Sequence, residues 1–294
     1  MQEAINKAAA LVEAHEYIRR FRGRIVVVKV GGSIMDDPEA LGNLMVDVCF
    51  LKAVGVRPVV VHGGGKAITT AMEQAGLEAN FVQGRRYTDE RTLAIAEHVL
   101  VNEINRQLVD RIDATGHKAM GLHSLSSCVV FAKRLFLKGQ GDGRDRQIDI
   151  GYVGQVERVN AELLKALIEA DYIPVIAPIA RDAAGGKLNV NADSVAGHVA
   201  AAVRAEKLVL VSDTHGIRTD AADPRSLASH LTRQQIHDLI DRQVITAGML
   251  PKVEASLVAL DAGVPKAHII DGRISHALML EIYTNEGIGT EIVL

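Results

Sequence analysis

Short β-branched runs alternate with longer helix-periodic stretches along nearly the whole chain. Arg24 to Val30 is apolar and stops at Gly31-Gly32-Ser33, and Val56 to Val61 stops at His62-Gly63-Gly64-Gly65-Lys66. Each pattern predicts a buried strand that ends in a tight turn. Further short runs predict strands over Ile173 to Ala177, Lys187 to Val190, Lys207 to Val211, His268 to Ile270 and Glu291 to Val293. Cys128 to Lys138 and Tyr152 to Val159 read as two strands around a Gly-, Asp- and Arg-rich loop, Gly139 to Arg146, expected to be exposed and mobile. Helical spacing covers Pro38 to Val54, Ala67 to Ala75, Thr88 to Thr115, Ala161 to Ala170, Ala192 to Ala205, Thr232 to Ile240, Leu250 to Ala262 and Ser275 to Ile282. Thr88 or Asp89 is placed to cap the longest of these, and Gly116 to stop it.

Strands that alternate with helices predict an α/β fold with a largely parallel sheet. In such sheets ligands bind beyond the carboxyl ends of the strands, which is where the glycine clusters fall. A boundary over Ala180 to Gly186, marked by Asp182, Gly185 and Gly186, divides the chain into halves at 24–180 and 181–294. Ahead of the first strand, Ile5, Ala8, Ala9, Val12 and Ile18 keep helical spacing up to Gly23. Glu3, Glu13 and Glu16, with no serine in the segment, argue for a folded amphipathic helix rather than a targeting peptide. Residues 1–23 therefore read as a helix packed either on its own domain or on another subunit.

Composition narrows the partners. The 294 residues are 48% apolar and 23% charged, a globular balance. No apolar run reaches the roughly 18 residues of a membrane span. A net charge of -3 gives no reason to expect nucleic acid, and 3% aromatics without Trp argues against a base-stacking platform. Cys49 and Cys128 make no disulfide framework and read as thiols of a reducing, cytoplasmic setting.

Several residues stand out chemically. Lys29 lies inside Val26-Val27-Val28-Lys29-Val30, where a lysine is costly without a partner. It either reaches a phosphate as a point charge or snorkels from an edge strand. Lys66 after Gly65 does not make a P-loop, because positions 60 and 67 are Val and Ala. Asn189-Val190-Asn191-Ala192-Asp193 puts polar residues on one face of a strand and then opens a helix, either for binding or for capping. Lys252, in Gly248-Met249-Leu250-Pro251-Lys252, lies at a helix start, where the dipole disfavours a cation unless an anion binds or solvent screens it.

Five motifs in order carry a resemblance: Lys29-Val-Gly31-Gly32-Ser33, Val61-His62-Gly63-Gly64-Gly65, Gly84-Arg85-Arg86-Tyr87-Thr88-Asp89, Asn189-Val-Asn191-Ala-Asp193 and Gly248-Met-Leu-Pro-Lys252. From about Arg24 to Leu294 the chain resembles the N-acetylglutamate kinases of the amino-acid kinase family. The resemblance implies an open α/β/α sandwich with a central, largely parallel sheet. It implies that the first half binds N-acetyl-L-glutamate and the second binds ATP, whose Mg²⁺ is held mainly by the phosphates, with no protein metal site. Lys29 and Lys252 match the lysines that stabilise the transferring phosphoryl group, and Asp193 matches the aspartate that orients them. Gly32 and Gly64 match backbone donors, and Gly64 with Gly65 the substrate-binding glycine pair. Arg86 matches the clamp on the substrate's α-carboxylate, Asn189 a further substrate contact, and Ser212, Asp213 and Gly216 the start of the nucleotide pocket.

The chemistry agrees with this set. A carboxylate nucleophile of pKa about 4.3 is already ionised and needs no general base, so His62 reads as an orienting residue. Two lysines supply the charge that phosphoryl transfer requires. Tyr87 departs from the family's usual Val, and Ser212-Asp213-Thr214-His215 from a motif that usually opens with Thr; the first bears on substrate choice. The N-terminal helix resembles that of arginine-inhibited members, in which such helices interlace three dimers into a hexamer. Tyr17, His268, Glu281 and Gly287 match their arginine pocket, implying feedback inhibition. Two other readings are a kinase of a neighbouring acid such as N-acetyl-aminoadipate, and a non-catalytic arginine sensor. The latter would be expected to lose Lys29, Asp193 and Lys252. A fused acetyltransferase is not expected, since the chain ends at Leu294.

Overall fold

The computed structural model describes residues 1–124, 127–139, 146–245, 248–284 and 287–294. Most of the expected mobile loop, residues 140–145, lies outside them. The chain opens with helix α1 (Gln2–Phe21), followed by β1 (Ile25–Val30), α2 (Pro38–Ala53), β2 (Arg57–His62) and α3 (Gly65–Gln74). A small hairpin, β3 (Phe81–Val82) and β4 (Arg85–Arg86), precedes α4 (Glu90–Glu97), a π-helical segment His98–Asn105 and α5 (Arg106–Asp113). Next come β5 (Lys118–Leu122), β6 (Val130–Gly139), β7 (Arg146–Val159), α6 (Ala161–Glu169), β8 (Tyr172–Ile176), β9 (Ile179–Arg181) and β10 (Lys187–Val190). The chain closes with α7 (Ala192–Val203), β11 (Lys207–Ser212), β12 (His230–Thr232), α8 (Arg233–Asp241), α9 (Leu250–Asp261), β13 (Lys266–Asp271), α10 (Ala277–Tyr283) and β14 (Thr290–Val293).

Eight strands form one sheet in the order β12-β14-β13-β11-β1-β2-β8-β5. Only the β13–β14 pairing is antiparallel. The sheet runs unbroken across the expected boundary, with β1 and β11 paired at its centre. Strand alternation sends Val26, Val28 and Val30 into a core with α2, α3, α5 and α10, and Val27 into a second core with α6, α7, α8 and α9. The result is the α/β/α sandwich expected. Each fully buried Val or Leu in these layers contributes roughly 1.5–3 kcal/mol of transfer free energy. Strands β6, β7, β9 and β10 form a separate four-stranded closed unit beside the sheet.

Two features differ from the sequence pattern. The stretch expected as one helix over Thr88 to Thr115 is α-helical at both ends but π-helical over His98–Asn105, with Asp89 as its cap. Strands β3, β4, β5, β9 and β12 were not expected; their runs are short and lack a clear period. Helix α1 forms as expected, and its last turns pack on the domain: Ala14, Tyr17 and Ile18 lie against the core and Phe21 is buried. Ile5 and Val12 are exposed.

Candidate active site

The period of β1 places Lys29 on the face of Val27, toward α7. Helix α7 starts there because Asn191 caps it, accepting the Ser194 N–H at 3.0 Å. Asp193 is thus left free of capping duty and sits in the first turn. Its carboxylate lies 2.8 Å from Lys29 Nζ and 3.6 Å from Lys252 Nζ. Lys29 is 5% exposed on a central strand, so it is not a snorkelling edge residue. Lys252 enters from the first turn of α9, where Pro251 starts the helix. Gly197, one turn after Asp193, lets α7 approach α9 closely: a Cβ there would stand 2.9 Å from Ala255 Cα. That crossing brings Lys252 to Asp193. Burial opposes ionisation of Asp193, but the two ammonium groups outweigh it and hold the carboxyl below its ordinary value.

Beside this triad lies a cavity of about 290 Å³ lined by Lys29, Gly32, Gly63, Gly64, Gly65, Arg86, Asn189 and Asp193, among others. Gly32 adopts φ +62°, a conformation that favours glycine. Gly64 backs onto Leu100 and Ile104, whose methyl groups would stand 2.7 Å from an added Cβ. Arg86 is 9% exposed. Its Nη2 donates to the Gly65 carbonyl and to Thr69 Oγ1, each at 2.7 Å, and its guanidinium lies 4.8 Å from the Phe81 ring centroid. Burial pulls its pKa below the usual arginine value, and these partners are all neutral. A buried cation so held is prepared for an anion. Its neighbour Tyr87 points outward, 41% exposed, and is not part of the cavity wall.

His62 is fully buried, and burial drives its pKa down to about 4. The ring is neutral and bonded at both nitrogens, to the Gly63 carbonyl at 2.9 Å and to Asn105 Nδ2 at 3.1 Å. It is not disposed to act as a base. Asn105, Thr69, Phe81 and Leu100 had not been singled out in the sequence. None of them leaves a signal there: Asn105 follows Ile104 in a stretch that already carries Asn102 and Glu103, so a further polar residue does not stand out. Lys66 projects outward and pairs with Asp36 at 3.2 Å.

Of the residues matched to the nucleotide pocket, Gly216 and Asp213 line a cavity of about 270 Å³ with His215, Arg218 and Arg273. Asp213 approaches Gly32, its carboxylate 3.5 Å from where a Cβ would stand. Ser212 is buried and donates to Asp213 Oδ1 at 3.3 Å instead of lining that wall. At the amino end of the sheet, Tyr17, His268, Glu281 and Gly287 all line one cavity of about 380 Å³. Glu281 Oε1 lies 2.5 Å from His268 Nδ1, and its Oε2 accepts the Ile288 N–H at 2.8 Å. Burial lowers the His268 pKa more than Glu281 raises it, while Glu281 is held below its ordinary value, so a neutral ring meets a carboxylate.

Comparison with known proteins agrees with this geometry. An acetylglutamate kinase of Symbiobacterium thermophilum is 44% identical over 99% of this chain and 99% of its own. One of Methanothrix thermoacetophila is 46% identical over 98% and 99%. Among solved structures, N-acetylglutamate synthase from Neisseria gonorrhoeae superposes with a TM-score of 0.83 at 24% identity, over 98% of this chain and 63% of that longer one, a likeness of fold. The sequence model of the amino acid kinase family matches residues 24–271. The chain belongs to the amino acid kinase family.

Proposed function

We propose that the protein transfers the γ-phosphoryl group of ATP to the side-chain carboxylate of N-acetyl-L-glutamate, forming the acyl phosphate used in arginine biosynthesis. The observation that carries this reading is the sharing of one buried carboxylate, Asp193, by Lys29 and Lys252 beside the glycine turns. Relatives named acetylglutamate kinase along almost their full length support the choice of acid. Arg86 clamps the α-carboxylate with its planar fork, aided by Asn189, and Gly64 and Gly65 line the acyl end. The outer oxygen of the side-chain carboxylate attacks phosphorus, and ADP leaves. Charge on the equatorial oxygens meets Lys29 on one side and Lys252 on the other, with the Gly32 and Gly64 amides as further donors. Asp193 keeps both ammonium groups aimed. ATP enters as its Mg²⁺ complex, beside Asp213 and Gly216; Asp193 is committed to two lysines, which leaves the metal to the phosphates. The half at 24–180 thus holds the acid and the half at 181–294 the nucleotide. Because Tyr87 lies outside the cavity, its departure from the family pattern does not argue for a different acid.

The rear cavity takes arginine as feedback inhibitor in this reading. Its wall carries Arg20, Lys207 and Lys266 with Glu206, Glu281 and Glu291, a balanced set that suits a zwitterion with a cationic side chain. His268 Nε2 is buried there without a hydrogen-bond partner among the described residues. The exposed Ile5 and Val12 of α1 would be covered in a hexamer of three dimers. The testing experiment follows ADP release from Mg²⁺ and ATP with N-acetylglutamate, trapping the acyl phosphate with hydroxylamine, with and without arginine. Turnover that arginine suppresses supports both parts. Failure with N-acetylglutamate but turnover of N-acetyl-aminoadipate would transfer the reading to that acid.

A further inference from the structure

The reaction uses neither His62 nor Asn105 directly, yet both are buried against the glycine turn. Asn105 closes the π-helical segment that also carries Leu100 and Ile104 against Gly64. Its Nδ2 donates to the Val175 carbonyl at 2.9 Å and faces His62 Nε2 at 3.1 Å. A carbonyl can only accept, so the amide orientation is set by Val175. The second amide hydrogen then meets Nε2, which must accept. The ring proton is thereby placed on Nδ1, which donates to the Gly63 carbonyl at 2.9 Å. Across a planar trans peptide the carbonyl and the next N–H point in opposite directions. With the Gly63 oxygen tied back to His62, the N–H of Gly64 is turned the other way, and Gly63 and Gly64 line the cavity.

We propose that Asn105 and His62 form a positioning relay that aims the Gly64 N–H at the transferring phosphoryl group, acting on the reaction through the backbone without touching substrate. The relay rests on the phosphoryl-transfer reading above. A chain of hydrogen bonds also polarises the shared peptide and strengthens its N–H as a donor.

Two replacements of His62 separate positioning from packing. In His62→Asn the amide nitrogen takes the place of Nδ1 and keeps the donor to Gly63. In His62→Gln the amide reaches the Nε2 position and loses that donor. Turnover of N-acetylglutamate with Mg²⁺ and ATP is measured for each, alongside thermal stability. His62→Asn should retain kcat within about threefold, whereas His62→Gln should lose roughly tenfold to a hundredfold in kcat, less than outright deletion of an oxyanion donor costs. KM for ATP should not move in either. Equal losses at matched stability would overturn the relay. If neither variant folds, nitrogen NMR of the wild-type histidines decides: a neutral His62 protonated on Nδ1 supports it, and protonation on Nε2 overturns it. Absence of wild-type turnover would instead strike the reaction itself, and the tautomer would still decide the relay.

Discussion

The two ends of the central sheet carry cavities of similar size and different electrical character. At the carboxyl end Lys29, Arg85 and Arg86 stand against the single carboxylate of Asp193, with Lys252 adjoining. At the amino end three basic side chains meet three carboxylates. The first is short of negative charge, and the second is balanced. An excess of buried or half-buried cations is costly unless an anion completes it, which suits a nucleotide phosphate and a dicarboxylate. A balanced wall gains nothing from a net anion but offers both signs to a zwitterion. Both cavities belong to one sheet, and β11 links their ends, running from Lys207 in the rear wall to Ser212 beside Asp213.

The sharpest way to break this contrast is to remove a catalytic lysine. Lys29→Ala or Lys252→Ala should lower kcat by roughly a hundredfold to a thousandfold while calorimetric arginine affinity stays unchanged; a parallel loss of arginine binding would show that the cavities are not separate. Arg86→Ala comes next. Loss of a charge-assisted pair worth about 1.5–3 kcal/mol should raise KM for N-acetylglutamate by roughly tenfold to a hundredfold, with KM for ATP as the internal control. Glu281→Ala should raise the arginine concentration for half inhibition by at least about tenfold and spare kcat; unchanged inhibition would remove Glu281 from the pocket. The smallest effect is on acid stability. The His62 pKa is lowered to about 4 from 6.5. Below pH 6.5 the unfolded chain therefore takes up a proton that the native ring refuses, and stability falls until the pH passes 4. Between pH 8 and pH 5 this costs about 2 kcal/mol, visible as a steeper melting-temperature decline in the wild type than in His62→Asn. Burial lowers the His268 pKa in the same sense, so the rear cavity adds to the slope in both proteins.

Much of the fold was legible because its central strands are short and largely apolar on both faces, so β1, β2, β8 and β11 appear as short apolar runs. Strand β5, Lys118–Leu122, escaped because Lys and Gly interrupt its pattern. The π-helical segment escaped because the switch from i→i+4 to i→i+5 bonding leaves no mark in residue type, and its residues continue the helix-forming pattern on either side. In the site, Lys29, Asp193 and Lys252 were visible as polar residues out of keeping with their neighbours. Thr69 and Phe81 were not, since an exposed threonine or aromatic residue is ordinary until Arg86 is seen between them.

By itself the sequence determined the layers of this protein. The two-residue period of β1 and the glycines that end β1 and β2 dictate which side chains face α7 and where the backbone can approach an anion. Only the tertiary structure decided that Lys252, far along the chain from Lys29, shares its carboxylate. That meeting depends on how closely α7 and α9 cross at Gly197 and Ala255, a distance set by packing between elements and absent from the periodicity of either helix. The balance of charge at the rear cavity has the same origin: residues from α1, β11, β13, α10 and β14 converge there only after the sheet has formed.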